Sequence, residues 1–102
     1  MKTLIRQYPT GKSYIALFPA SDWHSFPDFA HKLLGEINAT DVVDISGPDV
    51  IDAHWYEFFW EKKQYRLIYE DWPHEISIES ENSATDLVGL CAAINILFGQ
   101  IQ

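Results

Sequence analysis

Two β-prone runs, Ala53 to Trp60 and Gln64 to Glu70, are separated by three residues, Glu61-Lys62-Lys63, and so little chain between two extended segments demands a hairpin. Eight of the chain's fifteen aromatic residues fall between Trp55 and Trp72. Side chains alternate along a strand, so this hairpin must divide its aromatics between two faces. A turn centred on Lys62-Lys63 sets Trp60 opposite Tyr65, Phe58 opposite Leu67 and Tyr56 opposite Tyr69. These six share one face, and Trp55, Glu57, Phe59, Arg66 and Ile68 share the other.

The remaining chain supplies partners for that hairpin. Thr3 to Tyr8 and Ser13 to Phe18 flank Pro9-Thr10-Gly11-Lys12 and read as a first hairpin, with Ile15 and Leu17 inward and Tyr14 and Phe18 outward. Ser25-Phe26-Pro27-Asp28 has the form of a capped helix start, Ser25 capping and Asp28 completing a capping box. Phe26, Phe29, Ala30, Leu33, Leu34 and Ile37 then recur at helical spacing, and Asn38 is placed to end the helix in a left-handed conformation. Asp41 to Ser46 alternates weakly, as a short strand or an extended connection, before a turn at Gly47-Pro48-Asp49.

Asp71-Trp72-Pro73-His74 makes a turn into Glu75 to Glu79, whose alternation points Ile76 and Ile78 inward. Ser83 to Asp86 repeats the capping form ahead of a second helix reaching about Gln100, with Leu87, Leu90, Cys91, Ile94, Leu97, Phe98 and Ile101 on its buried side. Val88, Ala92 and Ile96 lie away from that stripe; partial cover by the domain itself is expected there, a weak homodimer being the other reading. The order β-β-α-β-β-β-α predicts a single α+β domain over residues 1–102. Its architecture is a two-layer sandwich, an antiparallel sheet of about five strands with both helices on one face.

Composition limits the functions such a domain takes on. Fifteen acidic residues against seven basic ones give a formal charge of -8. Residues 1–40 carry three acids and four bases, and residues 41–102 carry twelve acids and three bases. Phosphate backbones and anionic lipid surfaces repel such a body, so neither nucleic acid nor membrane is expected as a partner, whereas a basic protein is favoured. The opening residues lack the apolar stretch of a secretory leader, and the run Leu87 to Ile101 is shorter than the roughly 18 residues a spanning helix needs. The single cysteine, Cys91, falls in the core phase of the last helix and suits a reducing, cytoplasmic setting.

Signatures of chemistry are few. No G-x-S-x-G elbow and no phosphate-binding glycine pattern occurs. Asp52 with His54, and Asp71 with His74 and Glu75, are the nearest approaches to a metal site, and Glu57 with Glu70 or Glu79 with Glu75 the nearest to a catalytic carboxylate pair. Such neighbours are commonplace in a chain this acidic, so no catalytic residue, no metal and no cofactor is expected.

The aromatic run ending in Phe58 and Trp60, followed by Leu67 and Glu70 and by the ending Ile76 to Glu79, resembles a domain family of unknown function. That family comprises short bacterial proteins of about this length. The resemblance covers most of the chain and implies no activity, cofactor or site residue. In size and charge the chain is also similar to bacterial toxin-immunity proteins, though no motif makes that identification. The function expected is therefore a protein-binding module, an inhibitor, immunity-type protein or adaptor rather than an enzyme. A housekeeping homo-oligomer and a small enzyme are the alternatives. If both helices cover the face bearing Ile15, Leu17, Phe58 and Leu67, the binding surface is the other one, with Tyr14, Phe18, Trp55, Glu57, Phe59, Arg66 and Ile68. The bland reading is that the segment Asp41 to Asp52 or Trp72 shields some of these side chains.

Overall fold

A computed structural model describes residues 2–18, 24–45, 53–71, 74–81 and 87–98. Its elements run β1 (Lys2–Gln7), β2 (Ser13–Phe18), α1 (Phe26–Glu36), β3 (Thr40–Asp44), β4 (Ala53–Trp60), β5 (Lys63–Asp71), β6 (His74–Ser80) and α2 (Val88–Phe98). All six strands join one antiparallel sheet in the order β1-β2-β6-β5-β4-β3. The fold is the expected α+β arrangement with one strand more than expected, the weakly alternating segment after α1 having become edge strand β3.

Alternation decides what the sheet buries. Ile15 and Leu17 of β2, Ile76 and Ile78 of β6, Tyr65, Leu67 and Tyr69 of β5, and Tyr56 and Phe58 of β4 all enter one core cluster. Phe26, Ala30, Leu33, Leu34 and Ile37 of the α1 region and Leu90, Cys91 and Ile94 of α2 close it from the same side. Phe26 is the aromatic hub, with ring centroids 5.2 Å from Tyr69, 5.9 Å from Tyr56 and 5.5 Å from His54. Each such pair adds about 0.5–1.5 kcal/mol beyond area burial. Cys91 is buried as expected, and its Sγ lies 3.2 Å from Thr3 Oγ1, where α2 meets β1.

The helix ends illustrate where local rules hold. Asn38 adopts φ 60, its N–H donating to Gly35 O and the N–H of Ala39 to Leu34 O, which is the Schellman pattern expected of a left-handed residue after α1. Ser25 is the N-cap residue but makes no side-chain cap, because its backbone is already helical (φ -90, ψ -12) whereas a capping hydroxyl needs extended backbone. The Ser25 side-chain half of the expected capping box is therefore not formed. The expected turn at Gly47-Pro48-Asp49, the cap at Ser83 to Asp86 and the Trp72 shield lie outside the described residues.

Two further expectations are corrected. The β4–β5 register places Phe58 opposite Tyr65, Tyr56 opposite Leu67 and His54 opposite Tyr69, two residues away from the sequence-based pairing. The cause is a two-residue loop, Glu61-Lys62, with φ 48 and 67, the left-handed pair of a type I′ turn whose twist matches the strands. In α2, Val88 and Ile96 are 59% and 62% exposed and Ala92 is also exposed, so the described residues do not cover the outer side of that helix.

The loop is formed without the Asn-Gly that such turns prefer, so part of its backbone energy is unfavourable. Lys62→Gly is expected to raise the free energy of unfolding by about 0.5–1 kcal/mol, measured by denaturant titration. Destabilisation of the same size would show that the Lys62 side chain does more than tolerate the turn.

Candidate functional site

The face of the sheet turned away from the helices is built on one register row. Arg6 of β1 stands beside Tyr14 of β2, then Glu79 of β6, Arg66 of β5, Glu57 of β4 and Val43 of β3. Arg66 lies between two carboxylate-bearing strands because alternation gives β4 and β6 outward acids at that level. Its guanidinium reaches Glu57 at 3.5 Å and Glu81 at 3.1 Å. Glu79 accepts a hydrogen bond from the Tyr8 hydroxyl at 2.7 Å and pairs with Lys12 at 3.1 Å. These partly exposed bridges are each worth about 0–1 kcal/mol, and the lattice orders the face more than it stabilises the fold.

Aromatic rings surround the lattice. Trp55 carries Arg66 over its ring at 5.6 Å, Phe18 carries Arg6 at 5.0 Å, and Tyr14 stacks on Tyr8 at 4.4 Å. The structure thus brings Tyr14, Phe18, Trp55, Glu57, Phe59 and Arg66 onto one face, each half-buried and none in the core cluster. Ile68 shares the face but is only 6% exposed, so its expected availability is corrected. Among the described residues the exposed large apolar side chains are at the two sheet edges (Leu4, Ile5, Val42, Val43), Val43 within this face's own row, and on α2 (Val88, Ile96).

Burial and the Glu79 carboxylate together push the Tyr8 hydroxyl well above the ordinary phenol range, since losing its proton would place two negative charges side by side. On the helix side, burial and then the nearby Asp44 charge raise Tyr56. Asp44 and His54 approach to 3.1 Å there, and the imidazole stacks on Tyr56 at 5.0 Å. Sequence reasoning missed this pair because it joined His54 to Asp52, which lies outside the described residues. Only a firm assignment of β3 opposite β4 sets Asp44 next to His54. Among the described residues no group of three or more His, Cys, Asp or Glu is arranged to hold a metal ion, and no helix is long and apolar enough to cross a membrane.

A family model described as a protein of unknown function, DUF3630, matches residues 3–93, from within β1 to the middle of α2. The chain belongs to the DUF3630 family. The match takes in both faces of the sheet and the whole of α1, so the lattice around Arg66 lies within the DUF3630 unit. Comparison with curated proteins and with solved structures returns no match.

The Tyr8–Glu79 contact has a pH consequence with a definite sign. Unfolded tyrosine ionises near pH 10, and folded Tyr8 ionises higher, so its contribution to stability is fully present below about pH 10 and is lost as pH rises toward the folded value. Phenolate absorbance is expected to show fewer tyrosines titrating near pH 10 in the folded protein than in denaturant. Tyr8→Phe should remove one late-titrating phenol and cost about 1 kcal/mol at neutral pH. Five tyrosines titrating together near pH 10 in the folded protein would contradict the contact.

Proposed function

We propose that the protein is a binding module for a basic protein partner, of inhibitor, immunity or adaptor type, and that it works through the open face of its sheet without catalysis. The observation that carries this reading is the set of half-buried rings, Tyr14, Phe18, Trp55 and Phe59, standing outside the core around the Arg66 lattice. A sheet face that meets only water is ordinarily polar. Trp, Tyr and Arg are the side chains that most often dominate interface energy, and here Arg66 and Trp55 are already held against one another, so little conformational freedom is lost on docking. The charge of -8 adds long-range attraction for a basic surface, which acts on association rate. A cytoplasmic setting fits a chain whose one cysteine is a buried thiol beside Thr3.

A second reading, a homo-oligomer, is favoured by the exposed Val88, Ala92 and Ile96 on α2. The two use opposite sides of the molecule. Trp55→Ala with Phe59→Ala is expected to abolish association with whatever partner wild-type protein retains from native cells. The denaturation midpoint should move by less than about 1 kcal/mol equivalent, and raised salt should weaken the wild-type complex. If Ile96→Glu loses association while the Trp55/Phe59 variant keeps it, the interface is the α2 side and the sheet-face reading is refuted.

A further inference from the structure

On the helix side of the sheet, where α1 ends, α2 passes and the β4–β5 loop turns, lies a groove of about 440 Å³. Its apolar lining includes Trp60, Ala93, Leu97 and the exposed Ile96. Trp60 is fixed on both flanks. Its Nε1 donates to Ile37 O at 3.0 Å, and the far edge of its ring faces the Cα of Gly89, where an added Cβ would stand 3.9 Å from Cζ3. The indole N–H is therefore already engaged, and what Trp60 brings to the groove is ring carbon.

Among the described residues lining this groove, the charged side chains are both acidic. Glu36 and Glu61 stand on its walls, and neither enters an ion pair among the described residues. The last turns of α1 and α2 both reach it, through Glu36 and through Ile96 and Leu97, and neither last turn contains a basic residue. The negative end of a helix macrodipole is ordinarily complemented by Lys, Arg or His in that turn; here the last turn of α1 and the last described turn of α2 meet two carboxylates and hold no basic residue. The lining side chains include no cationic donor that would hold an anion.

We propose that this groove receives an arginine side chain presented by a protein partner. The methylene stem lies over the apolar lining at Leu97 and Ala93, the guanidinium plane stacks on the Trp60 indole, and its N–H groups reach Glu36 on one side and Glu61 on the other. Arginine fits better than lysine because a planar fork serves two carboxylates and an aromatic face at once, whereas an ammonium is a compact point charge that keeps its water. The inference rests on the reading that the chain binds another protein. It adds a second contact, because Trp55 and Phe59 lie on the opposite face of the sheet from Trp60.

The test uses three capped tripeptides, acetyl-Leu-X-Leu-amide with X as arginine, lysine or citrulline, titrated into the isotopically labelled full chain at low salt. The readout is the Trp60 indole N–H resonance, assigned by its loss in Trp60→Phe. The arginine peptide is expected to shift that resonance saturably while the Trp55 indole stays in place. The lysine peptide should bind several-fold more weakly, and citrulline, the same shape without charge, should not bind. Glu36→Gln with Glu61→Gln should weaken the arginine peptide about tenfold, and Glu57→Gln, across the sheet, should leave it unchanged. No saturable shift with arginine, equal binding by citrulline, or indifference to the Glu36/Glu61 pair would each overturn the proposal. Because this readout does not involve the open sheet face, it can fail while the Trp55/Phe59 association result stands, and the reverse.

Discussion

The β4–β5 hairpin commits nine large side chains to one side or the other of a sheet, and the rest of the molecule is arranged around that division. Tyr56, Phe58, Trp60, Tyr65, Leu67 and Tyr69 go toward the helices, and Trp55, Phe59 and Arg66 go away from them. With period-two alternation there is no third option, since moving one residue across would move its whole strand. Once the tyrosines and Phe58 are inside, a helix with Phe26, Leu33 and Leu34 at helical spacing has an apolar surface to meet, and Phe26 fills the space between Tyr56 and Tyr69. The strands β2 and β6 extend the same inward face with aliphatic residues of the core cluster that α2 also enters.

The same division gives the surface its character. Glu57 of β4 and Glu81, just past the end of β6, meet Arg66 outside, and its guanidinium lies over the Trp55 ring. Trp60, last in β4, is the inward residue with least sheet beyond it; it caps the core and bonds to the end of α1 through Ile37 O. The two-residue loop that follows then brings Glu61 to the groove that Glu36 also lines. Both acidic surfaces are thus consequences of where one hairpin begins and ends.

Much of this was readable from the chain because alternation and helical spacing are local. Ile15 with Leu17, Ile76 with Ile78, the α1 stripe and the left-handed Asn38 needed no tertiary information. The hairpin register was read two residues off because Glu61 and Lys62 are poor signals for a type I′ loop, yet the allocation of faces survived: a slip of two returns every side chain to its own side, whereas a slip of one reverses it. Edge strand β3 was barely legible because its five residues are all exposed and its alternation is weak, and with it went the Asp44–His54 pair. The burial of Ile68 and the anchoring of Trp60 depend on neighbours distant in sequence, and no local pattern announces them.

The allocation of rings to faces is open to direct observation. A soluble paramagnetic probe added to the labelled protein relaxes ring protons according to their distance from solvent. The account predicts strong relaxation at Trp55 and Phe59, with Phe58 and Tyr65 protected along with the rest of the core. Protected Trp55 and Phe59 with relaxed Phe58 and Tyr65 would mean that the sheet faces the other way, and both proposed contacts would lose their structural basis.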